Sequence, residues 1–428
     1  MGEPRVLYSL GWIDVDVPSR VRIEQRAVTE AAILDASWDL FARFGPDGAS
    51  LRDVAASAGC AHGLVARYYG SKDGLVGAVS SRMAVRVDRA AARIMSSDDE
   101  PLIEFLTAAR THRPCLQLLV RSALGDLPPC GFPACLHVDW FLSQLPNAVN
   151  DPTSPLGPDR RSRLCAYAAA SLLFGFVTFE GFLVAATGLG PLAARRRDSA
   201  IAAAARCLLD VAAEPEPRLM PRDLSAARAL TAADSEPTTA RGALLASAIE
   251  LFAERGPASV SVRDIARHAG VNQGLIYRHF GSKDALLAEA LEQGSAGLFP
   301  AALAEQGFDF DGMSWLLHHG ATAPRLIART LVDDVDITTV RRRFPILRRL
   351  IDAYDHVPRG AGPADLSDPR VAVVATAGMA LGSAIWGAHL RGAVGLGERD
   401  GIDAAIADLA RLLVVAPVLA AADQGATS

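Results

Sequence analysis

The sequence predicts an all-α protein built from two tandem units of the same architecture. Two observations lead to this prediction. A segment of the 428-residue chain recurs further along it, and apolar residues within both copies are spaced as on one face of a helix. Ala, Leu, Arg and Gly dominate the composition and runs of β-branched residues are few, which favours helices over strands. A chain of this length is expected to form about two to four domains.

The repeat consists of two stretches that align without a gap, Ala31–Val76 and Gly242–Leu287. A weaker correspondence lies further along the chain, between Phe179–Gly190 and Trp386–Gly397. The whole architecture is therefore predicted to be duplicated. Residues shared by the two copies include Phe41 and Phe252, Gly45 and Gly256, Arg52 and Arg263, Asp53 and Asp264, Gly59 and Gly270, Gly63 and Gly274, Arg67 and Arg278, and Lys72 and Lys283.

The second copy predicts three short helices. Apolar residues from Leu244 to Phe252 have helical spacing, and Gly256-Pro257 ends that first helix. Ser261 is placed to cap the next helix, with Asp264 three residues on completing a capping box. Gly270 is expected to end this second helix, because glycine adopts a left-handed conformation at little cost.

The third helix of the second copy is predicted to begin after a cap at Asn272. Ile276 and Phe280 are four residues apart and are expected to face inward, whereas four polar side chains face outward: Gln273, Tyr277, Arg278 and His279. Two short helices joined by a tight turn, the second with an exposed polar face, indicate a helix-turn-helix. In such a unit the second helix lies in the major groove of DNA.

The run from Ser261 to Lys283, with Tyr277, Phe280 and Lys283 at a three-residue spacing, resembles the signature of the TetR/AcrR family of regulators. The resemblance covers about fifty residues in each copy and is stronger in the second. It implies a homodimeric, all-helical repressor whose C-terminal domain holds a ligand pocket and a helical dimerisation surface. It also implies that Lys283, Lys72 and Tyr277 contact DNA phosphates.

Each DNA-contact prediction in the second copy has an alternative. Lys283 is a phosphate ligand or a solvated lysine at a helix start, and Tyr277 is a phosphate ligand or a half-buried core residue. Gln273 and Arg278 have the donors and acceptors that read adenine and guanine edges. Gly274, like Gly63, allows close backbone approach or serves helix packing. The predicted DNA-binding set in this copy is Arg263, Asn272, Gln273, Gly274, Tyr277, Arg278, His279 and Lys283.

The first copy departs from the pattern. Ala61 stands at the Asn272 position and Ala66 at the Tyr277 position, so a helix cap and an aromatic phosphate ligand are lost. We therefore expect this copy to bind DNA more weakly, or to read a different half-site. Its predicted DNA-binding residues are Arg52, His62, Gly63, Arg67, Tyr68 and Lys72.

Net charge, cysteine pattern and apolar stretches limit the classes of function that the sequence allows. The net charge of −5 gives no global basic signal, which argues only weakly against DNA binding. The six cysteines show no CxxC pair, and residues 1–20 do not have the pattern of a signal peptide. Residues 166–194 contain one charge, and we expect a buried helix there rather than a membrane span. Weaker candidates are a metal or thiol site at Cys130, Cys135 and His137, the pair His318-His319, and the basic run Arg341–Arg349.

We predict seven segments: an N-terminal tail (1–22), a helix-turn-helix domain (23–82), a helical regulatory domain (83–211), a linker (212–238), a second helix-turn-helix domain (239–293), a second regulatory domain (294–420) and a C-terminal tail (421–428). Residues 166–187 and 371–394 are expected to pack together as a pseudo-dimer within one chain. The predicted protein is a cytoplasmic regulator that binds double-stranded DNA and an apolar effector and uses no cofactor, metal or membrane. The alternatives are a module that no longer binds DNA and, with no catalytic constellation to support it, an enzyme.

Overall fold

The computed structural model describes residues 20–95, 100–125, 139–146, 159–190, 192–213, 239–296, 322–333 and 368–397, and the separate positions 335, 347, 351–352, 402, 405–406, 409–410 and 413. Within these residues the regular secondary structure is helical and no strand occurs. The predicted all-α class with two tandem units is therefore confirmed.

The first copy begins with four helices: α1 (Arg20–Gly48), α2 (Leu51–Ser57), α3 (His62–Tyr69) and α4 (Lys72–Met95). α1 is broken near its end, where Gly45 has a φ of 72° and Pro46 follows. Their buried faces share one core that includes Phe41, Val54 and Val65. α4 begins in the predicted helix-turn-helix domain and continues past residue 82 into the regulatory region.

The regulatory part of the first copy contains five further described helices: α5 (Pro101–Thr111), α6 (Arg113–Ala123), α7 (Asp139–Ser143), α8 (Arg160–Thr187) and α9 (Ala194–Asp210). A 3-10 turn follows at Val211–Ala213. Glu180, the one charge within residues 166–194, pairs with Arg110 of α5 at 2.8 Å. The same arginine pairs with Asp198 of α9 at 2.5 Å. This network joins α5, α8 and α9 at a partly exposed edge of the bundle.

The second copy repeats the opening arrangement with α10 (Ala240–Arg255), α11 (Val262–His268), α12 (Gly274–Phe280) and α13 (Lys283–Ala296). Its regulatory part includes α14 (Thr322–Val332) and α15 (Pro369–Val394). α10 ends at Gly256, whose φ of 82° matches the break at Gly45 in α1. Both copies therefore end their first helix with the same glycine turn.

The two copies meet along α8 and α15, as expected from the sequence. The backbones approach so closely that a Cβ atom on Gly175 would lie 1.9 Å from the carbonyl oxygen of Gly378. A Cβ atom on Gly382 would lie 1.9 Å from the carbonyl oxygen of Ser171. Gly175 and Gly382 are equivalent positions of the repeat, as are Ser171 and Gly378. The contact between these helices thus has a local pseudo-twofold symmetry.

Polar contacts across this pair of helices do not follow the pseudo-symmetry. The Tyr167 hydroxyl lies 2.7 Å from the Ser383 hydroxyl, and the Trp386 indole N–H donates to Thr178 Oγ1 at 3.1 Å. The positions equivalent to the Tyr167–Ser383 contact are held by Val374 and Phe176, which have no polar side-chain atom. The interface therefore distinguishes the first copy from the second.

α8 and α15 are also long and apolar enough to cross a membrane, with mean hydropathies of 1.8 and 1.7 over their most apolar stretches. Of those stretches, 72% and 89% are buried inside the fold. Such burial is typical of core helices in an interface.

Several sequence predictions lie outside the described residues: the Cys130–His137 cluster, His318-His319, most of the linker, and all of Arg341–Arg349 except Leu347. Four cysteines lie among the described residues, of which Cys115 and Cys165 are buried and Cys60 and Cys207 are half-buried. Among the described residues no group of three or more metal-ligating side chains is found.

Candidate nucleic-acid interface

The helix before each recognition helix, α2 in the first copy and α11 in the second, begins with a capping box, and the sequence predicted the one in the second copy. In the second copy the Ser261 hydroxyl accepts from the Asp264 N–H at 3.2 Å, and Asp264 Oδ2 accepts from the Ser261 N–H at 3.1 Å. In the first copy Ser50 and Asp53 make the same pair, at 3.2 and 2.9 Å. Each serine hydroxyl also donates to the aspartate carboxylate at 2.6 Å, and this bond, together with that from the serine N–H, holds the pKa of both aspartates below the usual value.

The turn before the third helix also follows the prediction. Gly270 has a φ of 67° and follows the end of α11. The Asn272 side chain accepts a hydrogen bond from the Gly274 N–H at 2.8 Å, so it caps α12. Gly59 has a φ of 64° at the same position of the first copy, but Ala61 offers no side-chain cap to α3. The first recognition helix therefore lacks one of the hydrogen bonds that define the start of the second.

The polar face of α12 is turned outward. Ile276 and Phe280 are buried, whereas Arg278 and His279 are exposed. Tyr277 is 53% exposed, which is not the burial expected of a core tyrosine. Of the remaining predicted residues in this copy, Arg263, Asn272 and Gly274 are exposed and Gln273 is half-buried. Three of the predicted side chains, Tyr277, Arg278 and His279, are thus exposed on α12, and Gln273 stands directly before it.

Lys283 makes a contact that neither of its sequence interpretations included. Its ammonium group donates a hydrogen bond to the carbonyl oxygen of Pro257, in the turn after α10. Burial lowers the pKa of this lysine, and the nearby charges of Asp284 and Asp333 oppose that shift. The side chain is therefore partly buried, with one ammonium hydrogen on the Pro257 carbonyl and two donors left for a further acceptor.

The polar face of α3 in the first copy is smaller. Arg52, His62, Gly63 and Arg67 are exposed, and Lys72 is half-buried. Tyr68 is also half-buried. The Arg26 guanidinium of α1 lies over its ring, 5.3 Å from the ring centre. Arg26 was not among the predicted residues, since no repeat partner or motif points to it. Its contact with Tyr68 places a positive charge beside the first recognition helix.

An apolar cavity lies in the regulatory part of the first copy, between α4, α5, α6, α7 and α8. Its volume is about 100 Å³. Aromatic rings form one wall, with Phe105 and Phe174 in edge-to-face contact at 5.1 Å between ring centres. The lining side chains are Arg86, Val87, Ala90, Ala91, Ile94, Phe105, Ala108, Ala109, His112, Cys115, Leu116, Leu119, Trp140, Phe141, Phe174 and Val177. α4 lines this cavity and is also the last helix of the first DNA-binding unit, where it follows the recognition helix α3.

Comparison with known proteins agrees with this geometry. The family described as "Bacterial regulatory proteins, tetR family" matches residues 33–79 and 244–290, which cover both helix-turn-helix units. The HTH-type transcriptional repressor Rv3405c of Mycobacterium tuberculosis is 36% identical over 166 residues, covering 37% of this chain and 79% of the relative.

Shorter similarities concern parts of other regulators. The HTH-type transcriptional repressor KstR2 of Mycolicibacterium smegmatis is 44% identical over 57 residues, which is 13% of this chain and 28% of the relative. The uncharacterized HTH-type transcriptional regulator YerO of Bacillus subtilis is 41% identical over 49 residues, or 11% and 17% of the two chains. All three relatives are named as HTH-type transcriptional regulators or repressors. The chain belongs to the TetR family of bacterial regulatory proteins, and carries two copies of its DNA-binding domain.

Proposed function

We propose that this protein is a ligand-responsive transcriptional repressor that binds an asymmetric DNA operator as an intramolecular pseudo-dimer. The observation that carries the proposal is that one chain presents two unlike recognition helices, α3 and α12, on copies joined by a buried helix pair. Operator symmetry mirrors the symmetry of the protein that reads it. Two different recognition surfaces therefore call for two unlike half-sites.

The pseudo-dimer is supported by the contact between α8 and α15. The family pairs two subunits through such helices, and here each copy covers the other's apolar helix. A covalent linker also removes most of the entropic cost of bringing the partners together. We expect light scattering in dilute solution to give a mass near 45.1 kDa. A stable dimer joining the second copies of two chains would contradict this.

The second copy is expected to supply more of the DNA affinity. It keeps the Asn272 cap and the exposed Tyr277, whereas the first copy has Ala61 and Ala66 at these positions. An uncapped helix start is less well ordered, and an alanine cannot donate to a phosphate oxygen. The two half-sites should therefore differ in strength as well as in sequence.

The effector is expected to be a compact apolar molecule that occupies the cavity beside Phe105 and Phe174. The volume of about 100 Å³ is below the roughly 300–1,000 Å³ typical of drug-sized ligands. Binding there would shift α4 and so change the spacing of the two DNA-binding units. A coupling of about 1–3 kcal/mol releases the operator 5–150-fold more easily. We place the protein in the cytoplasm, with no membrane partner, because its two apolar helices cover each other.

A second candidate function is a regulatory module that no longer binds DNA. It is favoured by the missing cap of α3 and by the bound state of the Lys283 ammonium group. One experiment, selection of bound DNA sequences, separates the two candidate functions. Selection of bound sequences from a random DNA pool should return one motif with two unlike halves. A failure to enrich any sequence would favour the second candidate.

The roles of individual residues are tested by fluorescence anisotropy on the selected operator. Gln273→Ala and Arg278→Ala should relax specificity at one half-site and cost about 1–3 kcal/mol each. His62→Ala, at the position equivalent to Gln273, should cost less. Arg195→Ala, an exposed change on α9, is the control and should leave binding unchanged. An equal loss from His62→Ala, or a true palindrome, would contradict the asymmetric operator.

A further inference from the structure

Arg121, on α6, holds the end of the first DNA-binding unit's α1. Its Nε donates to the carbonyl oxygen of Ala42 at 3.1 Å, and its Nη2 donates to the carbonyl oxygen of Arg43 at 2.8 Å. A Cβ atom on Gly45 would lie 3.1 Å from Nη1 of the same arginine. The guanidinium group is therefore packed against the glycine turn that ends α1.

Asp333 stands directly after α14 and holds the equivalent turn of the second copy. Its Oδ2 accepts from the Ala258 N–H at 2.8 Å. A Cβ atom on Gly256 would lie 2.5 Å from the same oxygen, so the carboxylate fits only because that position is glycine. The Lys283 ammonium group, from the start of α13, donates to the Pro257 carbonyl in the same turn.

Arg121 and Asp333 contact each other across the two copies. Arg121 Nη2 lies 3.1 Å from Asp333 Oδ1, and the two side chains are 4% and 3% exposed. A buried ion pair is strongly dependent on both partners, because removal of one leaves an uncompensated charge. A continuous set of polar contacts thus runs from the end of α1, through this pair, to the turn between α10 and α11.

The ends of α6 and α14 meet at the same place and reinforce the pair. Arg121 Nη2 donates to the carbonyl oxygen of Val332 at 3.1 Å, and Arg329 Nη2 donates to that of Leu124 at 3.2 Å. Residues 118–124 and 326–332 align without a gap, so the two arginines are equivalent, as are their acceptors. Carbonyl groups at helix ends lack partners within the helix and attract cations. Each copy therefore caps the helix end of the other.

We propose that the Arg121–Asp333 pair is a clasp that fixes the relative position of the two DNA-binding units and thereby selects the distance between operator half-sites. This proposal rests on the proposed DNA-binding function. Arg121 and Asp333 are positioning residues, because they hold the turns that end α1 and α10, and these turns precede the recognition helices in the chain. Cys115, Leu116 and Leu119 of the same α6 line the apolar cavity, so the clasp joins the cavity of one copy to both units.

The test measures how strictly the protein requires one half-site spacing. Fluorescence anisotropy compares the selected operator with versions that carry one, two or three base pairs inserted between the half-sites. Each inserted pair moves one half-site by about 3.4 Å and rotates it by about a tenth of a turn. The unchanged protein should bind each of these longer operators on the order of tenfold more weakly, within the range of coupling between linked sites.

Asp333→Asn and Arg121→Met remove the ion pair at nearly constant volume. Both should bind the selected operator more weakly and lose less than about threefold further affinity on insertion, because flexible units follow either spacing. Asp198→Asn is the control. It breaks an ion pair between Arg110 and Asp198 inside the first copy, in which the two side chains are 30% and 8% exposed, and should keep the unchanged protein's requirement.

Three results would overturn the clasp. The first is equal binding of all spacings by the unchanged protein, a measurement that needs no variant to fold. The second is a full spacing requirement kept by Asp333→Asn and Arg121→Met, and the third is its loss to the same degree in Asp198→Asn. If the random pool yields no bound sequence, the DNA-binding function itself fails. If a sequence is bound but its spacing is unrestricted, the function stands and only the clasp is refuted.

Discussion

The close approach of α8 and α15 makes Gly382→Ala a sensitive perturbation of the pseudo-dimer. The new Cβ atom would lie 1.9 Å from the carbonyl oxygen of Ser171 and 2.9 Å from the Gly175 nitrogen. Both are backbone atoms, so no side-chain rotation relieves the overlap. To reach an ordinary contact of about 3.4 Å, the helices must separate by about 1.5 Å.

The magnitude follows from what this separation breaks. Overpacking in a core costs about 1–3 kcal/mol, and two interhelical hydrogen bonds, Tyr167–Ser383 and Trp386–Thr178, would stretch beyond range at about 1 kcal/mol each. Alanine gains back about 1 kcal/mol of helix propensity. We expect the free energy of unfolding to fall by about 3 kcal/mol. For 428 residues this lowers the melting temperature by about 3 °C.

Gly378→Ala is the matched control in the same helix. Its Cβ atom would lie 3.5 Å from the carbonyl oxygen of Leu172, an ordinary contact. We expect its unfolding free energy to stay within about 1 kcal/mol of the unchanged protein, with a small gain from helix propensity. Both variants are measured by urea denaturation and differential scanning calorimetry. Equal stability of the two variants would refute the packing described for this interface.

Three further predictions concern the DNA-binding units and the cavity. Asp264→Asn should lower the melting temperature at pH 7, and by less at about pH 2; since the folded pKa is depressed, the carboxylate's contribution is full above the unfolded value near 3.9 and is lost as the pH falls below that value and through the folded pKa. Equal losses at both pH values would contradict this. Lys283→Ala should weaken binding to all DNA sequences and flatten the salt slope by about one, as measured by anisotropy at several salt concentrations. An unchanged slope would mean that the lysine does not contact a phosphate in the complex. Ala108→Phe should fill the cavity and abolish the thermal shift given by apolar compounds; a retained shift would place their site elsewhere.

Local signals in the sequence predicted the DNA-binding units well. The capping pairs join residues three positions apart, and Gly270 and Asn272 act on the turn in which they stand. Ile276 and Phe280 are buried as their spacing required. These features depend on short-range geometry, which a helical pattern and a few cap residues determine almost completely.

Contacts between distant residues could not be predicted in the same way. The Lys283 ammonium group is bound 26 positions away at Pro257, and the partners Arg121 and Asp333 are 212 positions apart. Nothing in the sequence around Arg121 distinguishes it from a surface arginine on an amphipathic helix. Its burial follows from the meeting of two helix ends, which depends on how the copies pack and not on either copy alone.

The unlike polar contacts across α8 and α15 have a consequence for the history of the chain. When two copies are identical, each substitution alters both halves, and the halves can exchange places. Here the Tyr167 hydroxyl meets Ser383 on one side of the axis, whereas Phe176 and Val374 stand on the other. Two first copies, or two second copies, would forfeit that hydrogen bond. Because the two copies belong to one chain, each can carry its own substitutions, and this hydrogen bond forms only between a first copy and a second copy.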